Sequence, residues 1–168
     1  MDWRVKYRPY IMAATLAFAM TMFIAPEVMD GNSMSPTLDD GQVTVITKQS
    51  YSANRGAPDL GEVVVLEKIY SRSISDDNVI GRVAALPGET LTVKDGQIYR
   101  KGEVIASAPE GMEDQKIKIS KDDVYILTDN DDPTMDSRNP DLGPVDMKEI
   151  RGDVKLSIWP LSDFGMVK

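Results

Sequence analysis

The sequence predicts a mainly β protein, a partly closed β-barrel of meandering strands behind one N-terminal transmembrane helix. Three observations predict it. An uncharged apolar run, IMAATLAFAMTMFIA, spans Ile11 to Ala25 directly after the basic MDWRVKYRPY. From Gln42 onward, short alternating or β-branched runs recur between polar turns. Two turn dipeptides, Asp95-Gly96 and Lys101-Gly102, divide TLTVKDGQIYRKGEVI into hairpin-sized pieces.

The apolar run is close to the roughly 17–25 residues that a membrane span needs. Arg4, Lys6 and Arg8 before it predict a cytoplasmic N-terminus and an extracytoplasmic remainder. The chain therefore divides into a cytoplasmic start (1–10), an anchor (11–26) and a β domain (27–168). A cleaved secretory signal competes with the anchor, because Ala17-Phe18-Ala19 has the small-x-small form of a cleavage site. In the β domain, QVTVITKQ alternates as a half-buried strand does, and EVVVLEKIY is continuously apolar as a more buried strand is. DVYILTDN and RGDVKLSIWPL supply the late strands, separated by a polar loop rich in Asp and Pro.

Composition excludes several classes of function. The 168 residues hold 27 acidic and 19 basic side chains, a net charge of −8, which opposes nucleic-acid binding. There is no Cys, so thiol catalysis, thiolate metal sites and disulfides are excluded. There is no His either, so protein-borne catalysis must rely on carboxylates, Lys, Tyr or Ser. No cofactor is implied. Asp129, Asp131 and Asp132 could offer oxygen ligands to Ca²⁺. An EF-hand starting at Asp129 would need Gly at Thr134 and Glu at Pro140, so a solvated acidic loop is the better expectation and no metal site is assigned.

Ser33, in GNSMSPTL, lies a few residues beyond the apolar run, and Pro36 favours an extended Ser35. Alone, a Ser in such a loop is an ordinary turn residue. The order of GNSMSPTL, LGEVVVLEK, GRVAALPGETLTVKDGQIYRKGEVI and TDNDDPTMDSR behind an apolar N-terminus resembles the type I signal peptidases, in the short form common in Gram-positive bacteria. That family consists of membrane-bound serine endopeptidases that remove signal peptides from exported proteins. The resemblance implies that Ser33 is the nucleophile, that Met34 lies by the binding groove, and that the oxyanion is held by backbone N–H groups near Gly31. It further implies that a desolvated neutral Lys is the general base. Asp136 and Arg138 would form a buried ion pair shaping the site, and Thr134 takes the place of a Ser that orients the lysine.

The base itself is missing. The family's Lys-Arg pair is Gly81-Arg82 here, and an arginine remains protonated. Lys68, on the strand VVVLEKIY, is the candidate substitute; Lys94 beside the hairpin turn reads as a solvated turn residue. Two readings of different class follow. In the first, a membrane-anchored, catalytically silent signal-peptidase-like protein binds an extended polypeptide outside the cell, such as a signal peptide or a pilin. The family's dyad-less members, encoded with sortase-assembled pili, suggest export or pilus assembly as the setting, with secretion or sortase components as partners. In the second, Ser33 is active with an unconventional base and cleaves after small residues. A secreted β-domain with residual resemblance is the third.

Overall fold

In a computed structural model, residues 3–67 and 78–167 are described. Helix α1 covers Trp3–Thr21, and twelve strands follow. They are β1 (Ile24–Val28), β2 (Val43–Lys48), β3 (Val63–Glu67), β4 (Asn78–Ala85), β5 (Thr90–Lys94) and β6 (Gln97–Arg100), then β7 (Glu103–Ser107), β8 (Gln115–Lys118), β9 (Asp123–Leu127), β10 (Val145–Asp146), β11 (Ile150–Trp159) and β12 (Gly165–Met166). The larger sheet has the order β1-β2-β11-β3-β4-β9-β10, with β12 on β11; the smaller has the order β7-β6-β5-β8.

The mainly β expectation holds, whereas the transmembrane helix finds no support. The uncharged part of α1, Pro9–Thr21, rises only about 20 Å at 1.5 Å per residue, against a hydrocarbon core of about 30 Å. The last residues of the apolar run leave the helix and enter β1, which pairs with β2 from Ile24↔Thr47 to Val28↔Val43. Pro26 is tolerated there because β1 is an edge strand. Among the described residues no helix is long and apolar enough to cross a membrane. Lys48 holds the helix end to the sheet, its Nζ donating to the Thr21 carbonyl at 3.0 Å.

The larger sheet curls around one apolar cluster and carries another on its outer face. Met29, Met34, Leu38, Ile46, Val63 and Val65 pack together with Ala25, Ile80 and Val154, which draws β1 and β4 around one interior. The alternate residues of β3, Val64 and Leu66, face Val79, Val83, Val124 and Ile126 instead. Because both faces of β3 are buried, its sequence is continuously apolar rather than alternating. A third cluster, including Ala85, Leu91, Ile98, Tyr125 and Leu127, fastens the smaller sheet to the ends of β4 and β9.

The smaller sheet is the hairpin pair read from the sequence. Asp95 and Gly96 have φ of 51° and 73°, and Lys101 and Gly102 have 51° and 89°, the positive pairs that type I′ turns require. Glu89 clamps this sheet. The Arg100 guanidinium donates to both of its oxygens at 2.7 Å, Lys101 lies 2.8 Å away, and the Leu86 N–H donates to it as well. The bond from Arg100, against the opposing effect of burial, lowers the Glu89 pKa from 4.5 to about 2. A depressed carboxylate pKa stabilises the fold above the unfolded-state value and loses that effect as pH falls through the folded-state value. The stability advantage of the protein over its Glu89→Gln variant is therefore expected to be full above pH 4.5 and to disappear towards pH 2. Denaturant titrations of both proteins across that window check it; a difference independent of pH would refute the clamp.

Candidate active site

Ser33 lies in the β1–β2 connection, whose shape is set by two buried anchors and one glycine. Met34 and Leu38 are each 1% exposed and sit in the interior cluster. The Leu38 N–H donates to the Met34 carbonyl at 2.9 Å, which closes the turn between them. Gly31 has φ +80°, a conformation that suits glycine. Its N–H donates to Asp40 Oδ1 at 2.9 Å, so the one donor Gly31 could offer an oxyanion is already engaged. Ser33 is half-buried, and its carbonyl accepts from the Asn130 N–H at 3.2 Å. That bond joins the Ser33 turn to the segment following β9.

Gly81 lies in β4 opposite Val64. A Cβ at this position would lie 3.1 Å from Ile126 Cδ1, 3.2 Å from Ile126 Cβ and 3.3 Å from the Leu127 carbonyl oxygen. A side chain starting there is crowded by a β-branched residue, which must shift by a few tenths of an ångström to admit it. A side chain at 81 would set out among the residues of the outer cluster, while Met34 packs in the interior one. Lys68 lies outside the described residues. Lys94 is exposed and lies 3.7 Å from Asp95, as a turn lysine does.

Arg82 is the residue whose role the sequence did not disclose. Its Nε and Nη2 grip both oxygens of Asp129 at 2.8 and 2.6 Å, the planar fork suited to a carboxylate. Nη1 donates to the Gly61 carbonyl at 2.8 Å, and Nη2 also reaches Thr37 Oγ1 at 3.3 Å. One guanidinium therefore ties together the Ser33 turn, the β2–β3 turn and the segment after β9. Burial alone would raise the Asp129 pKa, but the bonds from Arg82 and Thr37 outweigh it and hold it below its ordinary value. The usable signal was the adjacency of Arg82 to position 81.

Asp136 and Arg138 form a buried pair. Nε and Nη2 of Arg138 reach Asp136 Oδ2 at 3.0 and 2.7 Å, and Nε reaches Oδ1 at 3.1 Å. Asp136 also accepts the Thr128 N–H at 3.0 Å and the Arg138 N–H at 2.9 Å. Thr134 does not face this pair: its N–H and Oγ1 both donate to Asp132 Oδ1, at 2.9 and 2.7 Å. The acidic loop is exposed at Asp131, as expected from the sequence, but its carboxylates are engaged. Asp129 is held by Arg82, Asp131 by Arg138, and Asp132 caps the short turn of helix at Pro133–Met135. Among the described residues no group of carboxylates is placed to hold a metal ion.

Comparison with known proteins gives matches over nearly the whole chain. The family described as signal peptidase, peptidase S26, matches residues 3–159. Signal peptidase I of Bacillus amyloliquefaciens is 28% identical, covering 100% of this chain and 92% of its own length. Signal peptidase I S of Bacillus subtilis is 30% identical over 97% of this chain and 91% of its own. A protein named inactive signal peptidase IA, from Staphylococcus aureus, is 26% identical over 94% and 93%. The family match spans residues 3–159, and the chain belongs to the signal peptidase family, peptidase S26.

Proposed function

We propose that this protein is a proteolytically silent signal-peptidase-like protein that holds extended polypeptide outside the cell, at the membrane surface, during protein export. The observation that carries the reading is Gly81, where no amine is present and Ile126 fills the adjoining space. Ser33 consequently has no neutral lysine from that position to take its proton. A named inactive relative in Staphylococcus aureus supports the same reading.

Binding needs no base. β4 pairs with β3 along Asn78–Arg82, but with β9 only at Arg82, Val83 and Ala85. Among the described residues, Asn78–Gly81 therefore has one edge without a strand partner. An extended chain can add there through main-chain hydrogen bonds. Membrane association is supported by the exposed Ile11, Met12, Leu16 and Phe18 of α1 and by Trp159, Leu161 and Phe164 at the far end of β11. Such side chains suit an interface even where no span is formed.

The test is cleavage of a preprotein by the detergent-solubilised protein beside its Ser33→Ala and Gly81→Lys variants. The parent is expected to leave the preprotein intact while still binding it. Gly81→Lys is expected to stay silent unless combined with Ile126→Ala, which clears the contact. Cleavage by the parent that vanishes in Ser33→Ala would establish the second reading, an active peptidase with another base. What favours that reading is the intact Ser33 turn, anchored by Met34 and tied to Asn130.

A further inference from the structure

We infer that the cleft between the two sheets is a second polypeptide-binding site, in which an extended, small-side-chained and positively charged segment adds as a strand to the free edge of β7. The inference rests on the peptide-binding reading above and assigns a place to the part of the client that lies beyond β4.

The cleft measures about 670 Å³. Its floor is Val83, Ala84 and Leu127, and its wall is β7 from Val104 to Ser107. β7 ends its sheet and is bonded to β6 alone among the described residues, so its other edge offers N–H and C=O groups to an incoming strand. That edge turns towards the space: the Ser107 carbonyl accepts from Arg138 Nη1 at 3.3 Å, a donor that itself lines the cleft. The five residues of β7 span about 17 Å at roughly 3.3 Å per residue, room for a short extended segment.

The chemistry of the occupant follows from the walls. Gly61, Ala84 and Ala106 leave room for Cβ-sized groups, and Ala84, Ile105 and Ala106 are backed by the third apolar cluster. All three arginines of the lining already have carboxylates: Arg82 has Asp129, Arg100 has Glu89, and Arg138 has Asp136. The carboxylates that still face solvent are the exposed Glu103 and Asp131, which bonds Arg138 through Oδ1 but whose side chain is 62% exposed. A lysine or arginine in the incoming segment matches them. The site is also continuous with the open edge of β4, because Arg82, Val83 and Ala84 line the cleft directly after Gly81.

Amide hydrogen exchange on the detergent-solubilised full chain tests this. The probe is a synthetic peptide of about twelve residues, built from Ala, Val and Thr with two lysines, beside its N-methylated counterpart. The peptide is expected to slow exchange at residues 103–107; the N-methylated form, which cannot complete a ladder, is expected not to. Ala106→Trp, which fills the cleft, and Glu103→Lys, an exposed change that leaves packing intact, are each expected to weaken binding by about tenfold. Slowing at 78–81 without slowing at 103–107 would overturn the cleft site and leave the peptide-binding reading standing. Slowing at neither would overturn both, and equal slowing by the two peptides would overturn strand addition to β7.

Discussion

Asp136→Ala is expected to destabilise the protein by about 3–5 kcal/mol, the range for stranding one member of a buried ion pair. Arg138 is 2% exposed and Asp136 fully buried, so the guanidinium, left with the Asp131 carboxylate, has little water to turn to. The loss exceeds that of the pair itself, because Asp136 also satisfies the Thr128 and Arg138 N–H groups. Asp136→Ala combined with Arg138→Met is expected to recover part of the deficit, since the only charge then released, Asp131, is exposed to water. Urea titrations of the two variants and the parent measure it, as shifts in midpoint at constant slope. A single variant within about 1 kcal/mol of the parent would mean that water reaches Arg138.

Gly152→Ala is the second large effect, and its cause is steric. Gly152 lies in β11 between Lys48 of β2 and Val65 of β3. An added Cβ would stand 2.2 Å from the Thr47 carbonyl oxygen and 3.0 Å from the carbonyl carbon. These are backbone atoms, which cannot swing aside as a flexible side chain can, so β2 must part from β11. The cost is expected to exceed about 3 kcal/mol, the upper end of ordinary overpacking. Gly165→Ala serves as control: a Cβ there meets nothing within 4 Å, and the change should stay within about 0.5 kcal/mol. Thermal melts that place the two variants together would show that β2 and β11 tolerate greater separation.

Much of the fold was legible because its signals are local. QVTVITKQ became β2, the Asp95-Gly96 turn separates β5 from β6, and VVVL became a strand buried on both faces. The failure at the N-terminus has a physical origin. Apolar periodicity cannot tell a membrane helix from a helix followed by a buried edge strand, and Ile24–Val28 took the end of the run into the sheet. β8 and β12 were missed as well; β12 is two residues long, and QKIK in β8 is too polar to announce a strand. At the site, the buried Asp136–Arg138 pair implied by the resemblance is present. The Arg82 clamp was not legible, because its partners Asp129, Thr37 and Gly61 come together only when β4 is in place.

Ile126 gives the divergence at position 81 a direction. Restoring a side chain there by one substitution forces it against Ile126 Cβ and the Leu127 carbonyl, so the single revertant carries a folding penalty before any chemistry can reward it. Shrinking Ile126 first opens a cavity in the outer cluster, which is also unfavourable. Positions 81 and 126 therefore form one steric unit, in which a larger residue at the first is accommodated only by a smaller or displaced one at the second.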